Sequence, residues 1–217
     1  MDTDSYVSLN KSAARSGLAD LIDVEFFTGD EIVADLIRFI HENGAKVVAS
    51  NHDFEKTPAK DDMIYRLRRM QDMGADIPKL AVMPQNKRDV ITLLAATEEM
   101  ASDYANRPII TMSMAGTGSI SRLSCEAFGS CLTFGSGSMA SAPGQIAAGE
   151  LYDVLKNSTQ RPWAVKSKKP TGRNGFSFSR FCRWVFLTLF PNIFLQTISG
   201  TFRSVHQSQI HIPFAGR

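Results

Sequence analysis

Five short apolar runs, each followed by a helical pattern, constrain this chain more than any other feature. The runs cover residues 21–27, 46–50, 79–83, 109–114 and 132–134. After them come helix faces of Val33, Leu36, Ile37 and Ile40, then Met63, Ile64, Leu67 and Met70, then Val90, Leu93, Leu94, Met100 and Tyr104. A short helix near residues 121–127 and another around 148–155 complete the series. Thr28 is the expected N-cap of the second helix, and Thr57-Pro58 the expected opening of the third. A further helix over residues 4–16, stopped by Gly17, precedes the first strand. Strands alternating with helices predict right-handed βαβ units and a parallel sheet. Strands apolar throughout predict that helices cover the sheet.

Two α/β architectures meet these demands: an open doubly wound sheet and a (β/α)8 barrel. No Gly-x-Gly-x-x-Gly follows the first strand, which weakens the dinucleotide-binding version. Polar residues gather toward the C-terminal ends of several strands, as a barrel active site requires. The expectation is therefore the TIM-barrel family, here a partial barrel of about five βα units.

Charge divides the chain. Residues 1–157 hold all 22 acids against 15 bases, whereas residues 158–217 hold nine bases and no acid. The second part also carries both tryptophans and eight of the 14 phenylalanines. We read residues 1–157 as the barrel domain and residues 158–217 as a basic, aromatic-rich tail of irregular structure. The tail lacks a consistent amphipathic period, so no nucleic-acid or membrane partner is expected of it. Cys125, Cys131 and Cys182 have neither metal-ligand nor disulfide spacing and are expected as free thiols. The acidic, polar start at Met1-Asp2-Thr3-Asp4 is not that of a signal peptide. These features lead us to expect a cytoplasmic protein.

The candidate chemistry starts from His52 and Lys79, placed by the periodicity near the end of one strand and at the opening of the next. A buried lysine can attack a carbonyl to form an imine, and a histidine can move protons near neutral pH. Asp23 and Glu25, two residues apart on one strand, face the same side and could orient a base or balance the lysine. Arg122, after the turn Gly116-Thr117-Gly118-Ser119, suits a substrate carboxylate. Ser141 and Gln145 would overhang a barrel mouth. Met112, Met114 and Phe134 are of the kind that line a core. By position alone, each of these residues also fits a plain structural role.

Taken in order, the segments resemble type I 3-dehydroquinate dehydratase, a shikimate-pathway lyase of aromatic amino-acid biosynthesis with a (β/α)8 fold. The matching stretches are Asp23-Val24-Glu25-Phe26-Phe27-Thr28-Gly29-Asp30, Ser50-Asn51-His52-Asp53-Phe54 and Asp76-Ile77-Pro78-Lys79. They continue with Ile110-Thr111-Met112-Ser113-Met114, Ile120-Ser121-Arg122-Leu123 and Ser141-Ala142-Pro143-Gly144-Gln145. The resemblance runs from about residue 4 to residue 155. It implies Lys79 as the Schiff-base lysine and His52 as proton donor and acceptor. It implies Arg122, Ser141 and Gln145 as substrate-binding residues, with Asp23, Glu25, Met112, Met114 and Phe134 in support. It also implies 3-dehydroquinate as substrate, no metal or organic cofactor, and a homodimer.

The chain departs from the family at three places. The family carries three strands before the first one seen here, and with them a glutamate that orients the histidine. A family lysine after the Met-Ser-Met strand is replaced at Gly116. The stretch from about residue 160 matches nothing in the family. The expectation for this chain by itself is thus a dehydratase site with impaired turnover, or a fragment with no independent activity.

Overall fold

In a computed structural model, residues 1–137, 144–158 and 209–213 are described, the last five and 156–158 by backbone alone. Helix α1 is Thr3–Arg15. Four βα units follow. They are β1 (Leu21–Glu25) with α2 (Asp30–Glu42), β2 (Lys46–Asp53) with α3 (Lys60–Asp72), β3 (Ile77–Val82) with α4 (Lys87–Glu99), and β4 (Ile110–Ser113) with the short α5 (Ser119–Leu123). A fifth unit joins β5 (Leu132–Ser136) to α6 (Ala148–Ser158), and β6 (Gln209–Pro213) closes the described chain.

Strands β1 to β4 form one parallel sheet in sequence order. A parallel bridge between Ile109 and Ser130 ties the start of β4 to the segment leading into β5. On its other side β5 pairs antiparallel with β6, with Phe134 opposite His211. The α/β class, the parallel sheet and the five units are those expected from the sequence.

Alternation along each strand sorts the apolar residues onto two faces. Ile22, Val24, Val47 and Ala49 pack outward against Val33, Leu36, Ile37 and Ile40 of α2. Leu80, Val82 and Ile109 pack outward against Met63, Leu67, Leu93 and Met100. Burying each Val, Leu, Ile or Met side chain among them contributes about 1.5–3 kcal/mol relative to exposure. The opposite face carries Leu21, Val48, Ile77, Ala81, Ile110, Met112, Met114, Leu132 and Phe134. Asp23, Glu25, Ser50, His52 and Lys79 fall at positions of the same parity, so they belong to this inner face.

Local chemistry moved several boundaries. Gly29, at φ 118°, precedes α2 in place of Thr28, whose hydroxyl instead donates to Glu25 O at 2.8 Å. Helix α3 begins after Ala59, because the Thr57 hydroxyl is donated across to Met83 O at 3.1 Å. Strand β3 begins at Ile77, two residues before Lys79. Pro78 restricts Ile77 to extended backbone, so the strand starts before the proline and Lys79 lies inside it. Asn86 caps α4 by accepting from the N–H groups of Arg88 and Asp89.

Candidate active site

Lys79 is 3% exposed, and its Nζ donates to Asp23 Oδ2 at 2.9 Å. The pairing follows from strand register. Ser50 stands opposite Lys79, and Asp23 stands opposite Val48 one inward position below. The second oxygen of Asp23, Oδ1, accepts from the Ser50 hydroxyl. The Phe134 ring lies 5.3 Å from Lys79 Nζ, a cation–π distance. The lysine is thus held between a carboxylate and an aromatic face, among apolar neighbours.

His52 follows Ser50 by two residues, about 6–7 Å further along the strand at the usual rise. Its Nδ1 meets Glu25 Oε2 at 2.7 Å. The family resemblance had placed the histidine's orienting glutamate on strands outside this chain. Within this chain Glu25, which stands opposite Ser50, also reaches the histidine one step above, as an acid able to orient a base would. A proton on Nδ1 shared with Glu25 fixes the tautomer in which Nε2 is basic. The Phe54 ring stacks on the imidazole at 5.8 Å and further restrains it.

Arg122 closes the third side. It is 1% exposed, and Nη1 points at Met112 Sδ (3.6 Å) and Phe134 O (3.5 Å). Nε and Nη2 are buried and have no hydrogen-bond partner among the described residues. Burial pushes the guanidinium down from its ordinary value. Buried charged donors left unpaired are costly, and an acceptor placed here would relieve that cost. Met112, Met114 and Phe134 line the same inner face beside it.

Gln145 lies half-buried just beyond Gly144. Gly144 adopts φ 73°, and a Cβ there would lie 2.1 Å from Ala115 O. The loop carrying Gln145 therefore presses on the loop between β4 and Arg122. Ala115 itself takes a left-handed φ of 55°. Ser141 lies outside the described residues. Ser50 had no role assigned from sequence, although its parity with His52 along the strand was the available signal. No group of three or more metal-binding side chains occurs among the described residues.

The sequence matches a known family. The model of type I 3-dehydroquinase fits residues 1–162. The chain belongs to that family. It is 58% identical over 152 residues to a 3-dehydroquinate dehydratase of Clostridioides difficile (strain 630), covering 70% of this chain and 60% of that protein. A 3-dehydroquinate dehydratase of Salmonella agona (strain SL483) is 56% identical over 155 residues, covering 71% and 62%. Among solved structures, a type I 3-dehydroquinate dehydratase from Clostridium difficile with covalently modified comenic acid aligns with TM-score 0.71 and 55% identity, covering 74% of this chain and 63% of that one. The 3-dehydroquinate dehydratase of Geobacillus kaustophilus HTA426 gives TM-score 0.71 at 39% identity, covering 75% and 62%. The chain thus spans about three-fifths of the length of these relatives, and its sheet is a portion of their TIM-barrel fold.

Proposed function

We propose that this chain is a 3-dehydroquinate dehydratase acting through a Schiff base on Lys79. The observation that carries the reading is the pair of dyads on one inner face, Lys79–Asp23 and His52–Glu25. Lys79 Nζ attacks the substrate ketone, and loss of water gives an iminium. The iminium draws electrons from the adjacent carbon, so that His52 Nε2 removes its proton and an enamine forms. The enamine expels the hydroxyl, which leaves as water with the proton returned by His52. Hydrolysis of the imine then frees 3-dehydroshikimate and restores Lys79. Throughout, Arg122 Nε and Nη2 offer the substrate carboxylate two parallel bonds, and Ser141 and Gln145 contact its hydroxyls. Asp23 accepts a proton at Lys79, and Glu25 holds the His52 ring. Homodimeric association and a cytoplasmic location belong to the same proposal.

The product is a conjugated enone, so its formation is followed by ultraviolet absorbance. The expected result is turnover below that of full-length relatives, abolished in Lys79→Ala and lowered by about 10²–10⁴-fold in His52→Ala. Absence of product from the unaltered chain, or product formation that survives Lys79→Ala, contradicts the proposal.

A further inference from the structure

We propose that Ser50 is a positioning residue, whose hydroxyl fixes the Asp23 carboxylate so that its other oxygen holds Lys79. The inference takes its chemical purpose from the imine reading above, but the geometry carries it separately. Ser50 is fully buried at 0% exposure, in register with Lys79 across β2 and β3. Below it the inner face is apolar, with Leu21, Val48, Ile77 and Ile110. A lone hydroxyl on such a face needs a partner, and Ser50 spends its proton on Asp23 Oδ1.

The consequence is a three-member chain, Ser50 to Asp23 to Lys79, with one bond on each carboxylate oxygen. A carboxylate turns broadly about its last torsion. One donor on each side removes that freedom. Lysine has a flexible four-carbon stem, so the position of Nζ is decided by what grips it. Asp23 and the Phe134 ring grip it here, and Ser50 sets the angle of the first. Without Ser50, Asp23 Oδ1 would be buried with one donor fewer, and the carboxylate could turn away from Lys79 or clasp it with both oxygens.

The test compares Ser50→Ala, Ser50→Cys (similar size, weak donor) and Ser50→Thr (hydroxyl kept) with the unaltered chain. Solvent exchange of the Lys79 Nζ protons is read by 15N-lysine NMR, with thermal unfolding as the control for folding. Exchange is expected to quicken roughly five- to tenfold in the Ala and Cys variants, as for the loss of about one hydrogen bond, and to return toward the original rate in Ser50→Thr. If Ser50→Ala does not fold, Ser50→Cys decides. A lowered melting temperature with unchanged exchange would mean a merely structural hydroxyl and overturn the proposal. Trapping of a substrate adduct by borohydride separates the two readings. If no adduct forms in the unaltered chain while exchange responds as expected, the imine reading fails and the positioning role stands. If exchange is unchanged, the positioning role fails whatever the chemistry.

Discussion

At the scale of single residues, the site holds two pairs, Lys79 with Asp23 and His52 with Glu25, and a buried arginine whose Nε and Nη2 have no hydrogen-bond partner among the described residues. Replacing Asp23 by Asn leaves the Lys79 ammonium in an apolar layer without its counter-charge. Breaking a buried pair from one side costs about 3–5 kcal/mol, and Asp23→Asn should lose stability on that scale by urea unfolding. Adding Lys79→Met to it should recover part of the loss, which a double-mutant cycle measures. Arg122 behaves in the opposite way. Two of its nitrogens have no partner among the described residues, so Arg122→Met should unfold at the same or a higher denaturant concentration while binding 3-dehydroquinate more weakly. Glu25→Gln presents an amide to His52 Nδ1 in place of a carboxylate. It should lower turnover by about 10–100-fold, the value of a charge-assisted hydrogen bond, with little effect on the melting temperature. The types and order of these residues made Lys79, His52 and Arg122 legible in the sequence. The sequence offered Asp23 and Glu25 as groups that could orient a base or balance the lysine, but which acid meets which partner depends on the β1–β2 register, which local sequence does not encode.

At the scale of elements, one side chain fastens three of them. Asp76 precedes β3 and accepts from Val47 N–H at 2.9 Å, from His41 Nε2 at 2.6 Å and from Lys46 Nζ at 3.1 Å. Burial alone would raise this carboxyl, but the Val47 N–H and the His41 and Lys46 side chains outweigh it and hold it below its usual 3.8. A depressed folded value means stability that is complete above the unfolded value and lost as pH falls through the folded one. Unfolding of the unaltered chain and Asp76→Asn should therefore differ by about 1–2 kcal/mol near neutrality. The difference should shrink as pH falls below about 4; a gap that does not narrow at all between neutral pH and acid unfolding would contradict this role. A second element-scale contact is Gly144 against the Ala115 backbone. Gly144→Ala adds both a left-handed alanine and a clash, about 1–3 kcal/mol, and should separate the Gln145 loop from the Arg122 loop. Hydrophobic periodicity revealed the helices and strands because each faces a covered core. Boundaries at Thr28 and Thr57 went astray because a hydroxyl donated to another carbonyl looks, in sequence, like a cap, and the start of β3 because the strand runs through Pro78 from Ile77.

At the scale of the whole molecule, the sheet is an arc of a barrel, with both dyads on its inner face. Alternation of strands and helices predicted the parallel α/β sheet, and the polar C-terminal strand ends, the missing Gly-x-Gly-x-x-Gly and the family resemblance favoured the barrel over an open sheet. The antiparallel pairing of β6 with β5 was not predictable, since it joins residues separated by a long stretch of sequence through backbone groups that any residue offers. The chain spans about three-fifths of its relatives' length, yet both dyads and the buried arginine lie within it. The account therefore holds that covalent competence resides in these residues. The most direct measurement is reduction with borohydride in the presence of 3-dehydroquinate, followed by mass mapping of peptides. A stable adduct on Lys79, weakened in Arg122→Met and absent from Lys79→Arg, is the predicted result. No adduct, or an adduct on another lysine, would contradict the account.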